Sequence, residues 1–375
     1  MAKILLIANT DWYLYRFRIS LARFLRKQGL EVVLVSPGGQ YVSKIEAEGF
    51  RWLEWQVGRQ TINPFGEIIS IFRLVRIYRQ EKPLLVHLYT IKPVIYGSLA
   101  ARFAPVSAIV RSITGRGYVF LGRDFRAKLL RPLVKTIYHF ALSFGANATI
   151  FENESDRQYF LDENFVKPDK SYIIEGVGVD IEYYLPTPEP EGIPVVVLAS
   201  RMLWDKGVGT FVDTARLLRS KISARFVLIG EPDEGNPASI DNEVLRRWVD
   251  EGIVEWWGWQ DDMRSVFASC HIVALPSLGE GIPTVLLEAA SSGRAIVATD
   301  VPGCRDVVVD GKNGLLVPQQ DTLALAKAIE KLLNNPGMRE AMGKVGRESI
   351  KRRFSAARIN EQTYQIYQSL IMVTK

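Results

Sequence analysis

Glu280 and Glu288 stand eight positions apart in the run Leu275–Gly293, LPSLGEGIPTVLLEAASSG. The residues before it, His271 to Leu275, read as an apolar strand, and those after Pro283 read as a helix. The spacing therefore predicts Glu280 in a loop and Glu288 within the helix that follows. A helix start turns free N–H groups and the positive end of its dipole toward the loop before it. Backbone donors with one carboxylate in the loop and one in the helix suit a ligand that is both phosphorylated and rich in hydroxyls. Taken alone, the same spacing also describes an ordinary helix start with acidic residues.

A second element lies upstream. Val195–Ala199 (VVVLA) reads as a buried parallel strand and runs into Ser200-Arg201-Met202-Leu203-Trp204-Asp205-Lys206-Gly207, with a helical pattern from Val208 to Leu218. Arg201 and Lys206 thus flank a strand-to-helix turn. Arginine offers a planar fork to phosphate oxygens and lysine a mobile point charge. Together they can neutralise a diphosphate without a metal. The two elements in this order are far more specific than either alone.

The ordered set Arg201, Lys206-Gly207, Pro276 to Gly281 (PSLGEG) and Glu280 followed by Glu288 resembles glycosyltransferase family 4. The resemblance covers nearly the whole chain. It implies an α/β chain of GT-B fold, with two Rossmann-like domains facing each other across a cleft, and sugar transfer with retention of anomeric configuration. Three stretches of the N-terminal half resemble a narrower subgroup. They are Tyr15-Arg16-Phe17-Arg18, Tyr89-Thr90-Ile91-Lys92-Pro93 with Ile95-Tyr96-Gly97-Ser98, and Ile113-Thr114-Gly115-Arg116-Gly117. That subgroup adds an N-acetylated hexosamine or a deoxyhexosamine to a sugar on undecaprenyl diphosphate, in surface-glycan or glycoprotein-oligosaccharide assembly.

The resemblance also distributes roles. Arg201, Lys206 and the N–H groups of Thr284 and Val285 are expected on the leaving diphosphate of a UDP-sugar. Glu288 is expected on the ribose hydroxyls, since a carboxylate accepts two hydrogen bonds from a vicinal diol. Glu280, with the backbone at Gly281, Ile282 and Pro283, is expected at the donor sugar, and Gly178 belongs to the family's interdomain Gly-Val-Asp segment. Tyr15, Arg16, Arg18, Lys92, Thr114, Gly115 and Arg116 are the expected acceptor-binding residues. Trp256-Trp257-Gly258-Trp259 can frame the base or pack inside. Many family members carry a His-Gly near the donor sugar where this chain has Thr114-Gly115-Arg116-Gly117, so no general base is assigned.

Composition agrees with two α/β domains. The chain has 375 residues, 47% of them hydrophobic, enough for two cores. Two cysteines, Cys270 and Cys304, and three histidines, His87, His139 and His271, have no metal-ligand spacing, and no Asp-x-Asp triplet occurs. No metal or other cofactor is expected. MAKILLIANTDW reads as a first strand rather than a signal peptide, and no stretch is apolar for long enough to span a bilayer. Charge is unevenly spread: residues 1–150 hold 22 Lys and Arg against 8 Asp and Glu, and the remainder holds 25 against 33. A polyanion is the expected partner of the basic half: an anionic membrane, a diphosphate or a nucleic acid. Gly122 to Phe144 is basic and amphipathic, as a membrane-surface helix would be. The lipid-linked acceptor that the resemblance implies favours the membrane, with a cytoplasmic chain peripheral on its inner face. Nothing resembles a nucleic-acid module, so no nucleic-acid partner is expected. Two rivals remain at this point, a nucleotide-sugar epimerase of similar fold and a basic nucleic-acid-binding protein.

Expected strands are Lys3–Ala8, Glu31–Ser36, Leu84–Leu88, Ala108–Ser112 and Thr149–Phe151, then Val195–Ala199, Arg225–Gly230, Ile253–Trp257, His271–Leu275 and Ala295–Thr299. Helical patterns include Arg18–Gln28, closed by Gly29, and Ile68–Gln80. Pro186 to Pro194 (PTPEPEGIP) reads as the interdomain linker. The expected domains are 1–188 and 189–357, with a last helix from about 358 to 375 returning to the first. Gly230 to Pro237 reads as a plain loop.

Overall fold

The computed structural model describes residues 2–58, 64–115, 125–142 and 148–373. The chain divides into two units, Met1–Val177 with Ala356–Lys375, and Gly178–Ser355. The first alternates strand and helix: β1 (Lys3–Ile7), α1 (Asp11–Lys27), β2 (Glu31–Ser36), α2 (Val42–Ala47), β3 (Arg51–Glu54), α3 (Pro64–Glu81), β4 (Leu85–Tyr89), α4 (Ile91–Ala100), β5 (Ala108–Ile113), α5 (Phe125–Leu142), β6 (Ala148–Phe151), α6 (Glu154–Asp162) and β7 (Ser171–Ile173). Its strands pair in parallel in the order β3-β2-β1-β4-β5-β6-β7. Apolar runs such as KILLI and LVHLY follow from helices covering both faces of a parallel sheet. Gly29 closes α1 with φ +78°, its N–H bonded to Arg26 O at 3.0 Å and that of Leu30 to Leu25 O at 3.2 Å.

The second unit repeats the scheme: β8 (Val195–Ala199), α7 (Val208–Leu218), β9 (Arg225–Ile229), α8 (Asn242–Asp250), β10 (Glu255–Trp256), α9 (Met263–Ala268), β11 (Ile272–Leu275), α10 (Thr284–Ser291), β12 (Ala295–Thr299), α11 (Pro302–Val307), β13 (Leu315–Val317), α12 (Thr322–Leu333) and α13 (Pro336–Arg353). The order here is β10-β9-β8-β11-β12-β13, again parallel. The final helix, α14 (Ala356–Val373), belongs to the first unit, where Asn360 Nδ2 donates to Ser20 Oγ of α1 at 3.0 Å.

The division falls at Val177/Gly178, earlier than the expected 188/189. The proline-rich segment excludes helix and strand, yet buried arginines of the second unit pin it and the residues just before it in place. Arg347 donates to the carbonyls of Tyr184 (2.8 Å) and Ile181 (2.7 Å), and Arg294 to Thr187 Oγ1 (2.5 Å). Arg339 pairs with Glu189 at 2.6 Å.

In both sheets chain order reverses between the first strand and its inner neighbour, β1/β4 in one and β8/β11 in the other. The loops at the carboxyl ends of such a strand pair diverge and leave a crevice that suits a ligand. Among the described residues no helix is long and apolar enough to cross a membrane.

Candidate active site

At the β8/β11 crevice two loops lie side by side. The loop after β8 ends in a 3-10 turn, Trp204–Lys206, which Gly207 stops with φ +73°. A β-carbon on Gly207 would overlap the Pro276 carbonyl oxygen, so the bare glycine lets this loop touch the loop after β11. Leu278 N–H then donates to Asp205 O at 2.8 Å and Ser277 Oγ to the same oxygen at 3.2 Å. Farther along, Gly303 of α11 abuts Gly281 O so closely that a β-carbon would overlap it. Gln319 Nε2 donates to Leu278 O at 2.6 Å.

On this frame Lys206 Nζ donates to both carboxylate oxygens of Glu280 at 2.8 Å each. The two side chains are 19% and 11% exposed, half-sheltered but reachable. Helix α10 opens directly after Pro283, which supplies no side-chain cap. The amides of Thr284 and Val285 belong to its first turn, where no preceding helical carbonyl can accept from them. Glu288 follows Thr284 by one turn on the same helix face and is buried. Arg201, half-exposed, pairs through Nη1 with Asp233 Oδ2 at 2.5 Å. Asp233 is buried, accepts from Asn236 Nδ2 at 3.0 Å, and its N–H donates to Ser239 Oγ at 3.0 Å. The Gly230–Pro237 stretch, expected to be a plain loop, therefore holds the guanidinium in place.

The remaining candidates of this unit divide. Gly178 is its first residue, with φ +73°, and its neighbour Val179 bonds through N–H to Phe354 O at 2.8 Å rather than to the Lys206–Glu280 group. Trp256 Nε1 donates to Gly230 O at 2.8 Å, and Trp259 is half-exposed. His271 accepts from Val195 N–H at 3.1 Å and donates to Pro190 O at 3.0 Å, a structural role. Burial pushes the Cys270 thiol up to about 12, and that of Cys304 up as well, with the charge of Glu280 adding to the second shift.

In the first unit α1 starts at Asp11, not near Arg18. Thr10 Oγ1 accepts from Tyr13 N–H at 3.1 Å, and the Asp11 carboxylate takes the N–H groups of Trp12 (2.8 Å) and Tyr41 (2.7 Å). Tyr15, Arg16 and Arg18 are therefore helical. Tyr15 packs on Tyr41 at 5.6 Å between ring centroids, and Arg16 is partly buried. Arg18 is 8% exposed, its guanidinium 4.1 Å from the Tyr89 ring centre and bonded to Tyr13 OH at 2.6 Å. Its guanidinium faces the interior. His87, expected near a strand end, lies in the middle of β4 and is buried. Its Nδ1 meets the hydroxyls of Tyr367 (2.5 Å) and Tyr89 (2.8 Å), and its Nε2 meets Ser112 Oγ (2.7 Å). Burial, helped by the Arg18 charge, pushes its pKa well below 6.5, so the ring is neutral. Lys92 is committed to Glu67 and to Gly58 O, both at 2.6 Å. Thr114 and Gly115 follow β5, Gly115 with φ +116°. Arg116, Gly117 and Arg123 lie outside the described residues. The structure thus brings together Lys206, Glu280 and the start of α10, and it spreads the described acceptor candidates over α1, α4 and the residues after β5.

Two family models match the chain, "Glycosyl transferases group 1" over residues 193–335 and "Glycosyl transferase 4-like" over residues 3–153. The chain belongs to glycosyltransferase family 4. An N,N'-diacetylbacillosaminyl-diphospho-undecaprenol alpha-1,3-N-acetylgalactosaminyltransferase of Campylobacter jejuni is 28% identical over 88% of this chain and 89% of its own length. A UDP-Gal:alpha-D-GlcNAc-diphosphoundecaprenol alpha-1,3-galactosyltransferase of Escherichia coli is 22% identical over 84% and 82%. The crystal structure of Anabaena HepE in complex with UDP and glucose superposes with a TM-score of 0.80 at 19% identity, covering 98% of this chain and 100% of that one. The fold is the two-domain GT-B type and the protein is a glycosyltransferase.

A glycosyltransferase must stabilise the leaving group, tolerate positive charge on the sugar and present a hydroxyl. Cations and backbone donors aimed at one place supply the first of these without reorganisation. Lys206 has three donors, so it can keep one carboxylate oxygen while turning others toward a phosphate. Among the described residues no three His, Cys, Asp or Glu side chains converge as metal ligands would.

Proposed function

We propose that this glycosyltransferase moves an N-acetylated hexosamine or a deoxyhexosamine from a UDP-sugar onto a saccharide carried by undecaprenyl diphosphate. The observation that carries the proposal is the Lys206–Glu280 pair at the opening of α10. A lysine, the nearby Arg201 and the amides of Thr284 and Val285 suit a leaving diphosphate, and each charge-assisted contact stabilises the transition state by about 2–4 kcal/mol. Glu280 takes the donor sugar's hydroxyls or its developing charge, with the backbone of Gly281, Ile282 and Pro283 lining the same turn. Glu288 takes the ribose diol. Neither carboxylate is assigned as a nucleophile, and transfer on the same face of the sugar, with retention, is the reading we adopt. Neutralisation of the diphosphate by side-chain cations and amides requires no metal.

The Campylobacter and Escherichia relatives, by their names, act on undecaprenyl-diphosphate-linked sugars, and the second uses UDP-Gal. The basic first half, 22 Lys and Arg against 8 Asp and Glu, supports an anionic acceptor and a cytoplasmic protein held peripherally at the inner face of the membrane. Membrane and lipid-linked diphosphate account for that charge with no nucleic acid involved.

The test is UDP release from a panel of UDP-sugars, each with and without undecaprenyl-diphosphate sugars. Acceptor-dependent release that Glu288→Ala abolishes supports the proposal and names the donor. Conversion of the nucleotide sugar without acceptor points to an epimerase instead, and absence of release with every donor rejects the assignment.

A further inference from the structure

Helix α3 exposes one face along its length, and that face changes character halfway. Its first two turns present Phe65, Ile68, Ile69 and Phe72, which are 79%, 51%, 51% and 66% exposed. Steps of three, four and seven place all four on one side of the helix. Farther along the same side come Arg73, Arg76 and Arg79, each exposed. The opposite side already has its core: Ser70, Leu74, Val75 and Tyr78 are buried. The apolar turns are therefore a second hydrophobic face, additional to the one that folding uses.

The acids of α3 do not offset the arginines. Glu67 is paired with Lys92 at 2.6 Å, and Glu81 with Lys3 at 2.9 Å and Arg51 at 2.7 Å. The surface also continues past the helix, because Arg79 Nε donates at 3.1 Å to the carbonyl of Phe103, itself 61% exposed.

Four large apolar side chains on one face are a liability in water. They are at home at a bilayer surface, where apolar groups enter the acyl boundary and guanidiniums stay among lipid phosphates. The dimensions agree. At 1.5 Å per residue Phe65 and Phe72 stand roughly 10 Å apart along the axis, so a helix lying in the plane of the interface can sink all four side chains together. Arg76 follows about 6 Å farther along the axis, where its long side chain can reach headgroup phosphates.

We infer that the Phe65–Phe72 face of α3 inserts into an anionic bilayer surface, with Arg73, Arg76 and Arg79 seated on its phosphates. This rests on the membrane location proposed above and adds the surface and its occupant. It uses residues outside the basic 122–144 stretch.

The experiment is co-sedimentation of the full chain with vesicles of phosphatidylcholine alone or with a third of phosphatidylglycerol. Replacing Phe65→Ser and Phe72→Ser together is expected to lower partition at least about tenfold on anionic vesicles. Arg76→Gln is expected to lower it about fivefold on anionic vesicles and to leave phosphatidylcholine alone unaffected. Unchanged circular dichroism melting checks that both variants fold. Equal binding by wild type and the double variant overturns the inference. So does a wild-type dimer in analytical ultracentrifugation that the double variant dissolves, since a second copy would then cover the face. UDP release with a short-chain soluble acceptor separates this from the transferase proposal. It is expected to be the same in wild type and double variant, and its absence in both would reject the activity while leaving the vesicle result standing.

Discussion

The two crevices have the same topological address and are filled in opposite ways. At β8/β11 the contents are charges at the surface, Lys206 against Glu280, held by loops that touch backbone to backbone. Beside β1/β4 the charged and polar groups lie buried against the sheet instead: Arg18 stacked on Tyr89, His87 between Tyr367 and Ser112, with Arg18 Nε finding no acceptor among the described residues. The first arrangement presents donors to an incoming anion. The second ties the C-terminal helix α14 to the middle of the sheet through Tyr367. One topology thus carries a charged, half-sheltered pair at β8/β11 and a buried network that braces the fold beside β1/β4.

The largest expected effect tests that contrast at its charged end. Lys206→Met removes the cation that we propose faces the diphosphate, while keeping the length of the stem. We expect kcat/KM for the UDP-sugar to fall about 10²–10³-fold, with little change in melting temperature. Steady-state UDP release checks it. A variant that turns over normally would reduce the Lys206–Glu280 pair to a structural ion pair.

Next comes the frame. Gly207→Ala forces a left-handed residue and drives a methyl into the Pro276 carbonyl, so a loss of about 2–4 kcal/mol is expected in urea unfolding. Gly115→Ala in the first unit also meets a positive φ but has nothing within 4 Å, so strain alone acts and the loss is smaller. Equal losses would mean that loop contact contributes little at β8/β11.

The charged crevice was legible in the amino-acid sequence because its parts are local. Strands β8 and β12 match their expected bounds residue for residue, and Pro283 marks the start of α10. The missed strands β3, β7 and β13 all lie at sheet edges. Their runs RWLE, SYI and LLV are short, and pairing with a neighbour, not composition, makes them strands. Asp233 was missed because it meets Arg201 only through the adjacency of β8 and β9, 32 positions apart. The start of α1 was available, since Thr10 followed by Asp11 is a capping signal. Given that start, Arg18 falls on the buried face, a position no motif match reveals. The Lys92–Glu67 pair is likewise non-local.

The smallest effect concerns the two buried histidines, one in each unit. Burial, then the Arg18 charge, pushes the pKa of His87 well below the 6.5 of an unfolded chain. The unfolded state therefore binds the extra proton, and stability present above pH 6.5 is lost as pH falls toward the folded value. At pH 5 the loss is up to about 2 kcal/mol. His271 is also lowered by burial, but the charge of Glu189 opposes the shift, so its share should be less. Between pH 6.5 and 5 the lowered carboxylates, such as Glu48, Glu81 and Glu255, are still ionised in the folded protein, and the histidines dominate the slope. Urea midpoints measured across that window should flatten more in His87→Gln than in His271→Gln. If both flatten equally, the braced sheet of the first unit is no more sensitive to a buried proton than the start of β11 in the second, and the contrast between the two units would then rest on Lys206 and Gly207 alone.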